Sequence, residues 1–184
     1  MAARARGTRS RARPRSGVQR GSRQVRVRVS QLPGAEDLPL PAYATRDAAG
    51  LDLLAAVDGE QVLAPDERAL VPTGLCVAIP RGYEGQVRPR SGLALRHGIL
   101  LPNAPGTIDA DYRGELRIIV WNAGRTPFVV KRGDRIAQLV VAPVARVRLE
   151  LVPSLDATER GAGGFGHTGV GARRARPRRK RSRS

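Results

Sequence analysis

Glu115-Leu-Arg-Ile-Ile-Val-Trp121 decides the fold class. Charged and aliphatic side chains alternate along it, the period of a half-buried β-strand rather than of a helix. Outward from this stretch, short β-rich runs recur at Val25–Ser30, Leu75–Ile79, Gly85–Arg88, Phe128–Val130, Ile136–Val141 and Val147–Val152. Gly and Pro interrupt them roughly every eight to twelve residues. Arg146–Val152 repeats the alternation, with one charged and one aliphatic face. No stretch sustains a capped helical period, although Asp47–Val57 and Ser91–His97 each have room for a turn or two of helix. An all-β barrel or sandwich is expected, its polar strand faces meeting water or a partner subunit.

The 184 residues are 41 % apolar but only 3 % aromatic, so the core must be aliphatic. A net charge of +17 suggests nucleic acid, until the charge is located. Residues 1–23 hold eight Arg and no acid; residues 172–184 hold seven Arg, one Lys and no acid. These two segments carry +16, and residues 24–171 are left with 17 basic and 16 acidic side chains. The high isoelectric point therefore describes two basic tails, read as disordered, and not the domain between them. The N-terminal one resembles a transit peptide in its Arg content but is too poor in apolar residues for an amphipathic helix. The single Cys76 lies in an apolar run, reads as a buried core thiol and allows no intramolecular disulfide. An oxidising compartment is not indicated, and a cytoplasmic location is expected. One Cys and two His without ligand spacing disfavour zinc, and no apolar run is long enough to span a bilayer.

Arg160–Gly171 is half glycine and cannot build a core. It reads either as a linker or as an arm whose backbone N–H groups order around an anion. Gly161-Ala-Gly163-Gly-Phe-Gly166 fits G-x-G-x-x-G, but no strand leads into it and only 18 residues follow, so no Rossmann unit forms there. There is no Walker A motif. Ser91, His97 and Asp109 can be drafted as a hydrolytic triad, but Ser91 lacks a strand-to-helix elbow. Arg88-Pro-Arg90-Ser91-Gly92-Leu93-Ala94 brings guanidinium groups, a hydroxyl and an approachable backbone together, which suits a phosphate chain or, equally, a solvated loop with Ser91 as helix N-cap. Gly106-Thr-Ile-Asp109-Ala-Asp111-Tyr112-Arg113-Gly114-Glu115-Leu116 sets two carboxylates and a phenol ahead of the strongest strand. Beside a phosphate site that block suits water activation with a divalent cation; alone, an Asp-rich turn is the better reading.

Taken in order, five blocks resemble the motifs of the homotrimeric dUTPases: Ala49–Leu53, Pro89–Ala94, Gly106–Gly114, Arg132–Leu139 and Arg160–Gly166. The likeness spans about residues 24–169 and is specific because all five occur in sequence at the family's separations. It implies a jelly-roll-like homotrimer with a β domain at 24–159 and a Gly-rich active-site arm at 160–171, which leaves the basic tails at 1–23 and 172–184 outside the likeness.

The resemblance implies Mg²⁺-dependent hydrolysis of dUTP to dUMP and pyrophosphate by in-line water attack at the α-phosphorus. Asp109 matches the base; a carboxylate is ionised at neutral pH and can polarise a water held against it. Arg90, Ser91, Gly92 and Gln138 match the phosphate contacts, and Asp52 matches an outer-sphere partner of Mg²⁺. A hairpin over Leu100–Asp109 is expected to pair with the uracil edge, with Asn103 supplying a side chain and Thr107 and Ile108 lining the pocket. Tyr112 matches the residue beneath the deoxyribose that denies space to a 2′-OH, and Arg117 a nucleotide contact. In the arm, Phe165 matches the residue stacking on uracil and Arg160 the contact to the terminal phosphate, with Gly166, His167 and Thr168 beside them. His167 departs from the family's usual Ser, which predicts altered affinity or pH dependence rather than loss of activity. The tails are a second departure, consistent with weak, salt-sensitive, non-specific nucleic-acid binding. The rivals are a dCTP deaminase of the same fold, which the wording of the Asp109 and Phe165 motifs disfavours, and a catalytically idle dUTP-binding regulator, which is disfavoured because nothing in the five motifs looks disabled.

Overall fold

In a computed structural model describing residues 24–165, the stretch that decided the fold class becomes strand β8 (Glu115–Asn122). Leu116, Ile118 and Val120 turn inward and are buried, while Arg117 and Ile119 face outward. β8 lies between β4 (Arg68–Ala78) and β6 (Ile99–Leu100), and β1 (Arg28–Gln31) adds to the far side of β4. The second sheet has the order β2 (Leu51–Leu54), β10 (Arg135–Pro143), β5 (Tyr83–Arg88), β7 (Gly106–Ile108). A separate ribbon pairs β3 (Glu60–Leu63) with β9 (Phe128–Lys131). Every pairing is antiparallel.

Both sheets feed one aliphatic core: Val71, Val77, Leu116, Ile118 and Val120 from the first, Leu53, Val87, Ala137 and Leu139 from the second. This is the jelly-roll-like, all-β arrangement expected from the spacing of the strands. β4 and β8 slip register between Pro72 and Cys76. Side chains satisfy the backbone there: Thr73 Oγ1 donates to Leu116 O at 2.6 Å, and Gly74 N donates to the Glu115 carboxylate at 2.8 Å. Polar Asn122 is fully buried, but it donates to Leu63 O and Thr126 O and accepts from Gly124 N, so its burial leaves nothing unpaired.

Four expectations are corrected. Asp47–Val57 is not helical; it contains β2, whose adjacent Asp52 and Leu53 are both buried, which erases the alternation that marks a strand. Arg146–Val152 forms no strand, and Leu149 and Leu151 are fully exposed. Cys76 is half-buried, on a strand position facing away from the core, rather than a core thiol. Ser91 is the first residue of helix α1 (Ser91–His97) and not its cap; Arg90 holds that place without a side-chain cap bond. At the other end Gly98 adopts φ 70° and returns its N–H to Leu93 and Ala94, a left-handed stop that glycine takes without strain.

The chain divides into two compact units at Ala145/Arg146. The second, described as far as Phe165, has neither helix nor strand. Within it Thr158 accepts from Gly161 N, and Arg160 Nε donates to Gly163 O at 2.8 Å. Phe165 is fully exposed with φ 46°. Among the described residues no helix is long and apolar enough to cross a membrane.

Candidate active site

Three strands of the second sheet meet at one row. Gln138 on β10 stands opposite Asp52 on β2 and Arg88 on β5. Two residues past Arg88 the chain reaches Arg90 and enters α1, so Arg90, Ser91 and Gly92 gather at this end of the sheet. Asp52, only 7 % exposed, is the hub. Its Oδ1 accepts from Arg90 Nε at 3.2 Å and from Gln138 Nε2 at 3.1 Å, and its Oδ2 faces Arg135 Nη1 at 3.5 Å. Arg90 also donates to Arg135 O at 3.1 Å, which fixes its planar head at two points. The Arg96 guanidinium lies over Gly92, within 3 Å of where a Cβ would stand.

This cluster joins four of the residues read from the motifs: Asp52, Arg90, Gln138 and, at the helix start, Ser91. It also adds Arg135 and Arg96, which sequence reasoning missed. Arg135 stood inside the Arg132–Leu139 block, yet a charged side chain in an Arg-Gly-Asp-Arg turn reads as solvated until the β2–β10 register points it at Asp52. As a donor set the cluster suits a polyanion. For a metal it suits only a water-mediated contact: one carboxylate, already facing two guanidinium groups, and among the described residues no grouping of three or more His, Cys, Asp or Glu.

Asp109 and its neighbours form a second cluster. β7 pairs with β5 through Gly106↔Val87, Thr107↔Gln86 and Ile108↔Gly85, so Asp109 falls level with Glu84, near the Tyr83 end of β5, while Arg90 lies beyond the Arg88 end. Six residue steps of about 3.3 Å put the two on the order of 20 Å apart along the strand direction. Asp109 is exposed and has no side-chain partner among the described residues. Tyr112 bends back so that its Oη donates to Glu115 O at 2.9 Å, and its ring crosses Gly114, where a Cβ would come within 2.5 Å of Oη. Arg117 faces Glu115 at 3.8 Å on the outer side of β8.

The Leu100–Asp109 segment is not a hairpin in which β6 pairs with β7. β6 bonds to β8 and β7 to β5, so the segment crosses between sheets through a turn closed by Ala104 N to Leu101 O. Asn103 is exposed at that turn, and its amide lies near Gly106. Ser91 and His97 occupy opposite ends of α1, and the His97 ring packs on Phe128 at 5.3 Å, so no triad with Asp109 forms. Arg160 and Phe165 belong to the second unit; Gly166, His167 and Thr168 lie outside the described residues.

The family model of dUTPase matches residues 36–169. Among solved structures, the dUTPase of Staphylococcus bacteriophage 80alpha with dUpNHpp is similar at 28 % identity and a TM-score of 0.72, over 79 % of this chain and 99 % of that one. A mutant dUTPase from phage phi11 of S. aureus, described with a structural Mg(II) ion, is similar at 26 % identity and a TM-score of 0.64, over 72 % and 99 %. With the family match covering most of the chain and the cationic cluster built from its motifs, the chain belongs to the dUTPase family and is a dUTP diphosphatase.

Proposed function

We propose that the Asp52 cluster is the triphosphate cradle and that Asp109 of a second copy of the chain supplies the base. The observation that carries this is the position of the two clusters toward opposite ends of β5, much farther apart than a base can stand from the water it activates at a phosphate held in the cradle. A homotrimer with sites between subunits brings them together, and the outward-facing polar strands suit such packing. Arg90, Ser91, Gly92 and Gln138 then grip the phosphate chain, with Arg135 adding positive potential. Asp52 holds Arg90 in orientation and would hold Mg²⁺ through an intervening water. The ion, when bound, neutralises charge across the phosphates.

Asp109 orients a water against the α-phosphorus and takes its proton as the P–O bond to pyrophosphate breaks, leaving dUMP. Backbone groups around Asn103, with Thr107 and Ile108, read the uracil edge. A cramped pocket excludes a 5-methyl, and cytosine leaves polar groups unpaired. Tyr112 closes the space a 2′-OH needs. The arm from Arg160 through Phe165, Gly166, His167 and Thr168 closes over the bound nucleotide, with Phe165 stacking on the base for about 1–3 kcal/mol. The enzyme then serves nucleotide metabolism, and the cytoplasm is its proposed location, consistent with a single cysteine and no disulfide pair.

The test is turnover of dUTP, dCTP, dTTP and UTP with Mg²⁺. dUTP alone is expected to give dUMP and pyrophosphate, and Asp109→Asn should slow it at least about a hundredfold while binding survives. Wild-type turnover in that variant removes Asp109 from the mechanism. Ammonia released from dCTP would point to the deaminase instead.

A further inference from the structure

We propose that Arg96 is a further substrate-binding residue, its guanidinium gripping the pyrophosphate half of dUTP from the α1 side of the cradle. The inference rests on reading the Asp52 cluster as that cradle. Arg96 follows Gly92 by four residues on α1, so the two share one face of the helix. Its head folds back across that turn: a Cβ on Gly92 would stand 2.9 Å from one terminal nitrogen of the guanidinium, 3.3 Å from the other and 3.4 Å from its central carbon. The head therefore lies against the backbone of a residue of the cradle, in room that a side chain at position 92 would take.

Nothing in the helix accounts for this pose. A basic residue in the last turn ordinarily turns toward the terminal carbonyls, which carry partial negative charge. Here the Gly98 N–H already bonds the carbonyls of Leu93 and Ala94, and Arg96 reaches back toward the first turn, beside Arg90. Of the three guanidinium groups gathered at this end of the sheet, Arg90 and Arg135 face Asp52, whereas Arg96 is in no ion pair among the described residues. A cation brought toward two others without a carboxylate of its own meets repulsion, which a bound polyanion turns into attraction. The phosphorus under attack must stay open to the water that Asp109 of a second copy orients, so a cation on the cradle's own helix serves the leaving group. The two outer phosphates carry most of the charge, and more gathers there as the bond to pyrophosphate breaks. The exposed fork of Arg96 donors matches their oxygens and separates a triphosphate from a monophosphate, which has nothing at that position.

The experiment is calorimetric titration with dUpNHpp and, separately, with dUMP, at constant Mg²⁺, of the wild-type enzyme and of Arg96→Ala, Arg96→Gln, Arg96→Lys and Arg90→Ala, with the KM for dUTP alongside. Arg96 is exposed and Ala is the better helix former, so the Ala variant keeps the helix. Arg96→Ala and Arg96→Gln are expected to weaken dUpNHpp binding and raise the KM roughly tenfold, the effect of one charged contact at an exposed position, with dUMP binding within about twofold of wild type. Arg96→Lys keeps the charge without the fork and should lie between wild type and Arg96→Ala. Unchanged dUpNHpp binding in Arg96→Ala, equal weakening of both ligands, or Arg96→Lys no tighter than Arg96→Ala overturns the inference. Arg90→Ala separates that failure from failure of the cradle. If it weakens dUpNHpp and Arg96→Ala does not, the Arg96 contact alone is refuted; if neither does, the cradle reading falls as well.

Discussion

Asp52→Asn tests whether the hub of the cradle works through Arg90. Asn keeps the shape of the side chain and its capacity to accept from Gln138, but gives up the charge that holds Arg90 Nε at 3.2 Å. A hydrogen bond between charged groups contributes about 1.5–3 kcal/mol. The Arg90 side chain is 26 % exposed, so the lower end applies; Arg135, at 56 %, is screened by solvent and adds little. About 1.4 kcal/mol lost from transition-state binding is roughly a tenfold fall in kcat/KM. Arg90→Ala should cost more, because it removes the phosphate contact itself. The informative species is the double variant. If Asp52 acts by orienting Arg90, nothing is left to orient once Arg90 is gone, and Asp52→Asn/Arg90→Ala should lie within about threefold of Arg90→Ala. Pyrophosphate release at limiting dUTP measures each ratio, and a thermal melt confirms that all three variants fold. Two losses that simply multiply would show that Asp52 acts independently of Arg90, through metal-bound water, and would refute the orienting role.

Gly114→Ala should displace the Tyr112 ring, since the added Cβ would stand 2.5 Å from its Oη, and break its bond to Glu115 O. A fall of roughly tenfold in kcat/KM for dUTP is expected, with relatively improved use of UTP; unchanged discrimination between the two would separate Tyr112 from 2′-OH exclusion. Asp37 is held below the usual carboxylate range by the hydrogen bonds from Arg132, so its pairing adds stability above about pH 4, and that stability is lost as pH falls through the depressed folded value. The melting-temperature gap between wild type and Asp37→Asn should accordingly shrink on acidification from pH 7 to about pH 3, and a gap that stays constant contradicts the ion pair.

The sequence made some of this legible and concealed the rest for physical reasons. β8 announced itself because only one of its faces is buried, so Leu116, Ile118 and Val120 stand out against Arg117. β2 did not, because Asp52 and Leu53 point to opposite faces and both are buried. Arg146–Val152 carries a true two-residue alternation without being a strand here: a pattern says which faces differ, not which edge will accept the segment. Asp52, Arg90 and Gln138 were legible as motif residues, but their convergence on one carboxylate appears only when β2, β10 and β5 are set in register. Arg135 and Arg96 depend on that register and on the path of α1, and neither is encoded in local pattern.

The separation of Asp109 from the cradle leads to a result that a one-chain site cannot produce. Asp109→Asn leaves the Asp52 cluster intact, and Arg90→Ala leaves the Asp109 end of β5 intact, so each variant disables a different half of the site. If both halves came from one chain, every site in a mixture of the two would carry a lesion and the mixture would be as slow as its components. If the halves come from two neighbouring chains, random assembly after co-expression or joint refolding places an intact Asp109 opposite an intact cradle in roughly a quarter of the sites. Each such site pairs an Arg90→Ala chain, which still has its base, with an Asp109→Asn chain, which still has its phosphate grip. The mixed assembly should therefore recover roughly a quarter of the wild-type rate from two preparations that are nearly inactive alone. Recovery should appear only after subunits exchange, not on simple mixing of stable oligomers. An equimolar exchanged assembly with no more activity than its parents would require the ends of β5 to serve separate purposes, and the shared site would have to be abandoned.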